Sequence, residues 1–212
     1  TTVVLVLNPA QILQETRDTQ RISDLSSVQS AVGLYLATAA AIDMDDAFAT
    51  AYAAGSGTGC GGDWWASITS VPSTSKPFVN PTVIEASQGL TTPRDVDGDG
   101  WAPIDLTAVS GGSPLSGLPQ DPSSTAGGAT NPLDNGTPPL GRFYAYQCVN
   151  SSQTYSGVTG PAYEINGNME SGKFDSNTTC TVVGSDAQGV ECTDGGNNNQ
   201  VYEVGNAPGL AL

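Results

Sequence analysis

Apolar residues recur at Ile12, Ile22, Leu25, Val28, Val32, Tyr35 and Leu36, spacings that gather them on one face of a helix. Glu15, Arg17, Asp18, Arg21 and Asp24 fall largely off that stripe. The periodicity carries to about Ala41. Pro9 either occupies the first turn or kinks the helix. Asp43 is placed to cap a second short helix through Ala54, closed by Gly55. Asp45 and Asp46 would then sit in a first turn, where the helix dipole favours negative charge; that reading outweighs acid–base chemistry by the pair.

Ahead of Pro9 lies the apolar run Val3-Val4-Leu5-Val6-Leu7. As a helix, the residues before Asn8 rise about 10 Å, far short of the roughly 20 residues that span a bilayer.

After Gly55 the texture changes: glycine, serine and threonine dominate and apolar runs shorten. Strand-like runs fall at 64–71, 101–109, 142–149, 162–169, 178–183 and 200–204. Turn-rich stretches separate the last four, which predicts a small antiparallel sheet. Residues 110–139 hold much of the proline and read as an irregular excursion over the surface. The expected fold is α+β: an N-terminal part over 1–54, with the long helix and a short second one, then a β-rich head over 55–212.

Composition narrows the function. Six Lys and Arg against 21 Asp and Glu give a formal charge of −15. Such a surface repels phosphate backbones and excludes a nucleic-acid partner. The chain contains no histidine, which removes Ser-His-Asp and Cys-His catalysis together with the commonest metal ligand. The sequence reads as that of a non-enzyme. Cys60, Cys148, Cys180 and Cys192 form no CxxC pair, so two disulfides in an oxidising compartment explain them better than zinc. Four cysteines allow three connectivities. The expected pairs are Cys180 with Cys192, closing a short loop between neighbouring strands, and Cys60 with Cys148, tying the segment after the helices to an aromatic strand.

The loop Asp95-Val96-Asp97-Gly98-Asp99-Gly100 opens like a calcium loop, with alternate carboxylates and a glycine at position six. Leu106 stands where a bidentate Glu belongs, and Asp105 comes one place early. Asp95, Asp97, Asp99 and Asp105 are therefore candidate calcium ligands, set against a plain Asp-Gly turn. Calcium is the one cofactor this chemistry admits. Sequons stand at Asn135, Asn150 and Asn177, in a chain rich enough in Asn, Ser and Thr to produce them by chance. Trp64, Trp65, Trp101 and the aromatics from Phe143 read as core packing rather than a sugar-binding platform, because the head has little else of that size to bury.

The segment NPAQILQETRDTQRISDLSSVQSAVGLYL resembles the part of a type IV pilin or pseudopilin that follows the membrane segment. Arg17-Asp18, Arg21, Ser23-Asp24-Leu25 and Leu34-Tyr35-Leu36 carry the likeness. Leu118-Pro119-Gln120-Asp121-Pro122 is similar to the LPxDP motif of that family, and Phe143-Tyr144-Ala145-Tyr146-Gln147-Cys148 follows it as an aromatic strand. Tyr163-Glu164-Ile165-Asn166 with Met169-Glu170-Ser171 resembles the next strand. The tail Tyr202-Glu203-Val204-Gly205 with Pro208-Gly209-Leu210 is similar to pilin-like proteins of small uncultivated bacteria.

The resemblance implies a long helix packed on a small antiparallel head. It implies a structural subunit of an extracellular, cell-surface filament serving adhesion, motility or DNA uptake. The partners would be further copies of the chain, in a helical homopolymer, and the assembly machinery at the cytoplasmic membrane. Leu5, Leu7, Ile12 and Leu13, with Arg17 and Arg21, become the expected subunit interface. The family's cleavage site and the first part of its hydrophobic segment are absent, so the encoded chain is expected to continue upstream and to be membrane-anchored there before assembly. A type II secretion pseudopilin shares the fold, and some bind calcium in a head loop. A secreted calcium-dependent carbohydrate-binding module is the rival from another class, and it would need no N-terminal apolar helix.

Overall fold

The computed structural model describes residues 8–45, 59–60, 64–68, 92–124, 142–151, 153–155, 157–174, 189–198, 201–207 and 212. One α-helix, α1 (Pro9–Thr38), runs for 30 residues, about 45 Å at 1.5 Å per residue. The Asn8 side chain caps it, accepting the Ala10 N–H at 3.2 Å. Pro9 occupies the first turn, where its missing N–H costs no helical bond. The helix stops at Thr38, short of the expected Ala41; Ala39 is already extended, although its N–H still reaches the Tyr35 carbonyl at 2.8 Å. Tyr35 Oη also donates to the Asp43 carbonyl at 2.9 Å, which folds the chain back over the helix end.

The main sheet has four strands in the order β1-β2-β5-β6, every neighbouring pair antiparallel. Its strands are β1 (Trp64–Ala66), β2 (Tyr144–Val149), β5 (Ala162–Gly167) and β6 (Tyr202–Gly205). A two-stranded hairpin, β3 (Thr154–Tyr155) with β4 (Val158–Thr159), bridges β2 and β5. The fold is α+β, with α1 packed on the sheet.

Strand alternation decides which residues meet the helix. Tyr144, Tyr146 and Cys148 of β2, Tyr163 and Ile165 of β5 and Val204 of β6 join Leu25, Val28, Val32 and Tyr35 of α1 in one core. Residues 92–124 add Trp101, Ile104, Leu106 and Leu118 to it. The Trp101 and Tyr144 rings lie 5.8 Å apart, and Trp64 stacks on Phe143 at 6.1 Å on the other face. The aromatics are buried as core.

Two expectations are corrected. Residues 101–109 do not form a strand. Pro103 has no N–H for a ladder, and Asp105 Oδ1 accepts the Thr107 N–H at 2.9 Å, which starts a short 3-10 turn at Leu106–Ala108. Asp45 does not lie in a helical first turn: it is buried in a bend and accepts the Cys60 N–H at 2.7 Å. Residues 46–54 of the expected second helix and the expected strand at 178–183 lie outside the described residues.

Candidate functional site

The buried stripe of α1 is Asp18, Arg21, Leu25, Val28, Ala31, Val32 and Tyr35. The stripe therefore begins with two charged residues expected to lie off it. Arg21 is fully buried, and its Nε and Nη2 donate to the two Asp121 oxygens at 2.7 and 2.8 Å. Its Nη1 donates to Asp18 at 2.7 Å, and its Nη2 also pairs with Glu170. Asp18 in turn accepts the backbone N–H groups of Glu170 and Ser171 at 2.9 and 2.8 Å. Arg17 clamps the same Glu170 with bonds of 2.9 and 2.5 Å. Burying these charges is tolerable only because each is paired and further hydrogen-bonded.

Burial alone would raise the Glu170 carboxyl, but the bonds from Arg17 and Arg21 hold it down at about 2. Burial alone would likewise lower the Arg21 pKa; the bonds from Asp121 and Glu170 keep it raised. The result is an ionic latch: residues 121 and 170, from separate parts of the head, grip the helix one turn below its apolar face.

The LPxDP-like segment is built around that latch. Leu118 is buried in the core, the Pro119 carbonyl accepts the Trp101 indole N–H at 2.8 Å, and Asp121 takes Arg21. Gly100 keeps the adjoining loop closed, since a Cβ there would meet the Asp95 carbonyl oxygen at 2.0 Å and Leu118 Cδ1 at 2.6 Å.

No residue of α1 before Asp18 is buried. The first turns run past the head, and Ile12 and Leu13 there are 48% and 58% exposed. Leu34, further along, is 43% exposed. Leu5 and Leu7 lie outside the described residues. Of the two arginines expected between subunits, Arg21 is instead enclosed within its own chain. Arg17 is committed to Glu170 but a third exposed at its side chain. Asp18, Asp121 and Glu170 belong with them; Asp121 was visible within LPQDP and Glu170 within the Met169-Glu170-Ser171 likeness, while nothing in the local pattern announced that Asp18 was buried.

A disulfide joins Cys60 and Cys148, 88 residues apart. Cys192 is also disulfide-bonded, and Cys180, its expected partner, lies outside the described residues. Beside Cys60, Asn150 donates to Asp43 and Asp45 at 3.1 and 2.5 Å and accepts the Met44 N–H at 2.7 Å. All this uses the Asn150 amide internally. Asn135 and Asn177 lie outside the described residues. Burial, and then the bond with Asp43, raises the Asp45 carboxyl to about 6.

Asp95, Asp97 and Asp99 are exposed on their loop, and Asp97 bridges to Asp105 as an isolated β-pair. Asp105 spends its carboxylate on capping Thr107. Among the described residues no three His, Cys, Asp or Glu side chains are gathered to hold a metal ion. The other acidic concentration is inside the head, where Glu164 of β5 and Glu203 of β6 are both buried.

No protein-family model matches the chain, and no curated protein or solved structure does either. The architecture stands on its own terms: a long N-terminal helix packed against an antiparallel sheet, pilin-like in shape. Its disulfide fits an extracytoplasmic protein. Among the described residues no helix is long and apolar enough to cross a membrane.

Proposed function

We propose that this chain is the structural subunit of an extracellular filament of the type IV pilin kind, polymerising through its N-terminal helix and acting without catalysis. The observation that carries the reading is the helix that outruns its head. Before Asp18 no residue of the helix is fully buried on its own chain, and Ile12 and Leu13 stand 48% and 58% exposed. Single exposed apolar residues are ordinary, but here they continue the apolar sequence run Val3–Leu7 along one segment. Neighbouring copies are the natural cover. A helix packing on the helices of successive copies makes a head-to-tail contact that does not close and so propagates as a filament.

The latch supports the same reading. A subunit that carries load through a projecting helix needs that helix fixed rigidly to the head, and two guanidiniums and three carboxylates from three parts of the chain do so at its base. The head, acidic and disulfide-tied, faces outward at the cell surface. Filaments sheared from the surface of the native cells and identified by mass spectrometry test this directly. Peptides of this chain dominate the sheared fraction if the proposal holds; their recovery only from dispersed monomer in the medium overturns it.

A further inference from the structure

The sheet face turned away from α1 is polar where β2, β5 and β6 adjoin. Glu164 and Asn166 of β5 point to that face, Glu203 of β6 stands opposite Asn166, and Gln147 of β2 stands opposite Glu164. Gln147 and Glu164 have no exposed surface, and Asn166 and Glu203 have 1% each. A buried carboxylate needs donors or a counter-charge. Glu164 accepts the Leu212 N–H at 3.0 Å and the Asn166 amide at 2.9 Å. Glu203 Oε2 accepts the Asn198 N–H at 2.9 Å, but its Oε1 is buried without a donor. Glu164 stands opposite Gly205 and Glu203 opposite Asn166, so the two carboxyl side chains are diagonal neighbours on one buried face, within reach of each other. Among the described residues the ion pairs engage Arg17, Arg21 and Lys173, and none reaches Glu164 or Glu203.

Among the described residues, the other titratable groups around the pair add no positive charge. Asp194, in the segment leading into β6, accepts the Glu203 backbone N–H at 2.8 Å and adds negative charge. Tyr202 on β6 is neutral, and Glu191, on the 3-10 turn packed against β6, accepts the Met169 N–H at 3.1 Å. Two carboxylates in such a place cannot both ionise without something positive between them.

We infer that Glu164 and Glu203 share one proton, and that this buried acid pair clasps β6 and Leu212 to the sheet, making the head alkali-sensitive by construction. Glu203 Oε1 carries the proton and donates it to Glu164, which satisfies the one carboxyl oxygen left without a donor. Burial, then repulsion from Glu164, raises the Glu203 carboxyl far above its ordinary range; burial also raises Glu164, but less. The folded chain thus keeps a proton that the unfolded chain releases near the ordinary value of 4.5. Stability from the pair is complete below that value and is lost as pH rises through the raised one. The clasp lies within one head and holds whether or not the subunits polymerise.

The test compares the disulfide-intact wild type with Glu203→Gln, whose amide keeps an N–H donor toward Glu164 at every pH. Melting temperature is followed from pH 6 to pH 9, and the infrared band of a protonated carboxyl is recorded at pH 8. The wild type should show that band and lose several degrees as pH rises; the variant should lack the band and melt at a nearly constant temperature. A wild type without the band overturns the shared proton even if the variant does not fold. Parallel melting curves for the two proteins overturn the clasp. Calcium that restores the wild type at pH 9, but not the variant, would put a cation where we place the proton and would equally overturn it.

Discussion

Arg21 and Asp121, 100 residues apart, meet through two hydrogen bonds of 2.7 and 2.8 Å with neither side chain exposed. The pair joins the helix that we assign to the filament core to the segment that frames the head. A planar guanidinium matched to both oxygens of a carboxylate fixes distance and angle at once.

Breaking one side of that pair should be costly, because the other side stays charged and buried. Asp121→Ala is expected to lower the unfolding free energy by about 3–5 kcal/mol. Chemical denaturation measures it. A loss under about 1 kcal/mol, the range of an exposed ion pair, would mean that the latch contributes little.

The same latch sets the acid limit of stability. Glu170, held at about 2 against an ordinary 4.5, contributes stability that is complete above 4.5 and is lost as pH falls toward 2. The melting temperature of the wild type should therefore drop over that interval. Glu170→Gln should melt lower at pH 6 and show a shallower acid limb. Equal slopes in the two proteins would remove Glu170 from the acid transition.

Cross-linking residues 60 and 148 constrains a long stretch of the unfolded chain. Replacing both cysteines by serine should cost about 2–5 kcal/mol. Non-reducing peptide mapping should recover Cys60 joined to Cys148, and a peptide joining Cys148 to Cys180 would contradict the pairing.

Much of this fold was legible in the sequence. The 3.6-residue recurrence from Leu25 to Tyr35 gave the helix its buried face, and aromatic alternation marked β2. The expected pair Cys60 with Cys148 is found, although spacing alone left three connectivities open. Residues 101–109 misled because Trp101, Ile104, Leu106 and Val109 are buried without a continuous ladder: only the Asp97–Asp105 bridge forms, and the Ile104 and Val109 N–H groups reach the Ala102 and Leu106 carbonyls. Burial there comes from packing under the helix, not from a strand. Asp18 and Arg21 misled for the opposite reason. The two pair with each other at i,i+3, but an exposed helix carries such pairs as readily; what buries them are the partners at 121 and 170, which local spacing does not reveal. The alanines after Thr38 have high helix propensity, but the Tyr35 hydroxyl holding the Asp43 carbonyl ends the helix first.

The filament claim is tested most directly by placing charge on the exposed helix end. Ile12→Asp combined with Leu13→Asp, introduced into the full-length chain in its own cells, removes apolar side chains that are 48% and 58% exposed. Electron microscopy should then find no surface filaments of this chain, while the isolated protein keeps the wild-type melting temperature and its Cys60–Cys148 bond. Filaments of normal number and length from the doubly substituted chain would contradict the account.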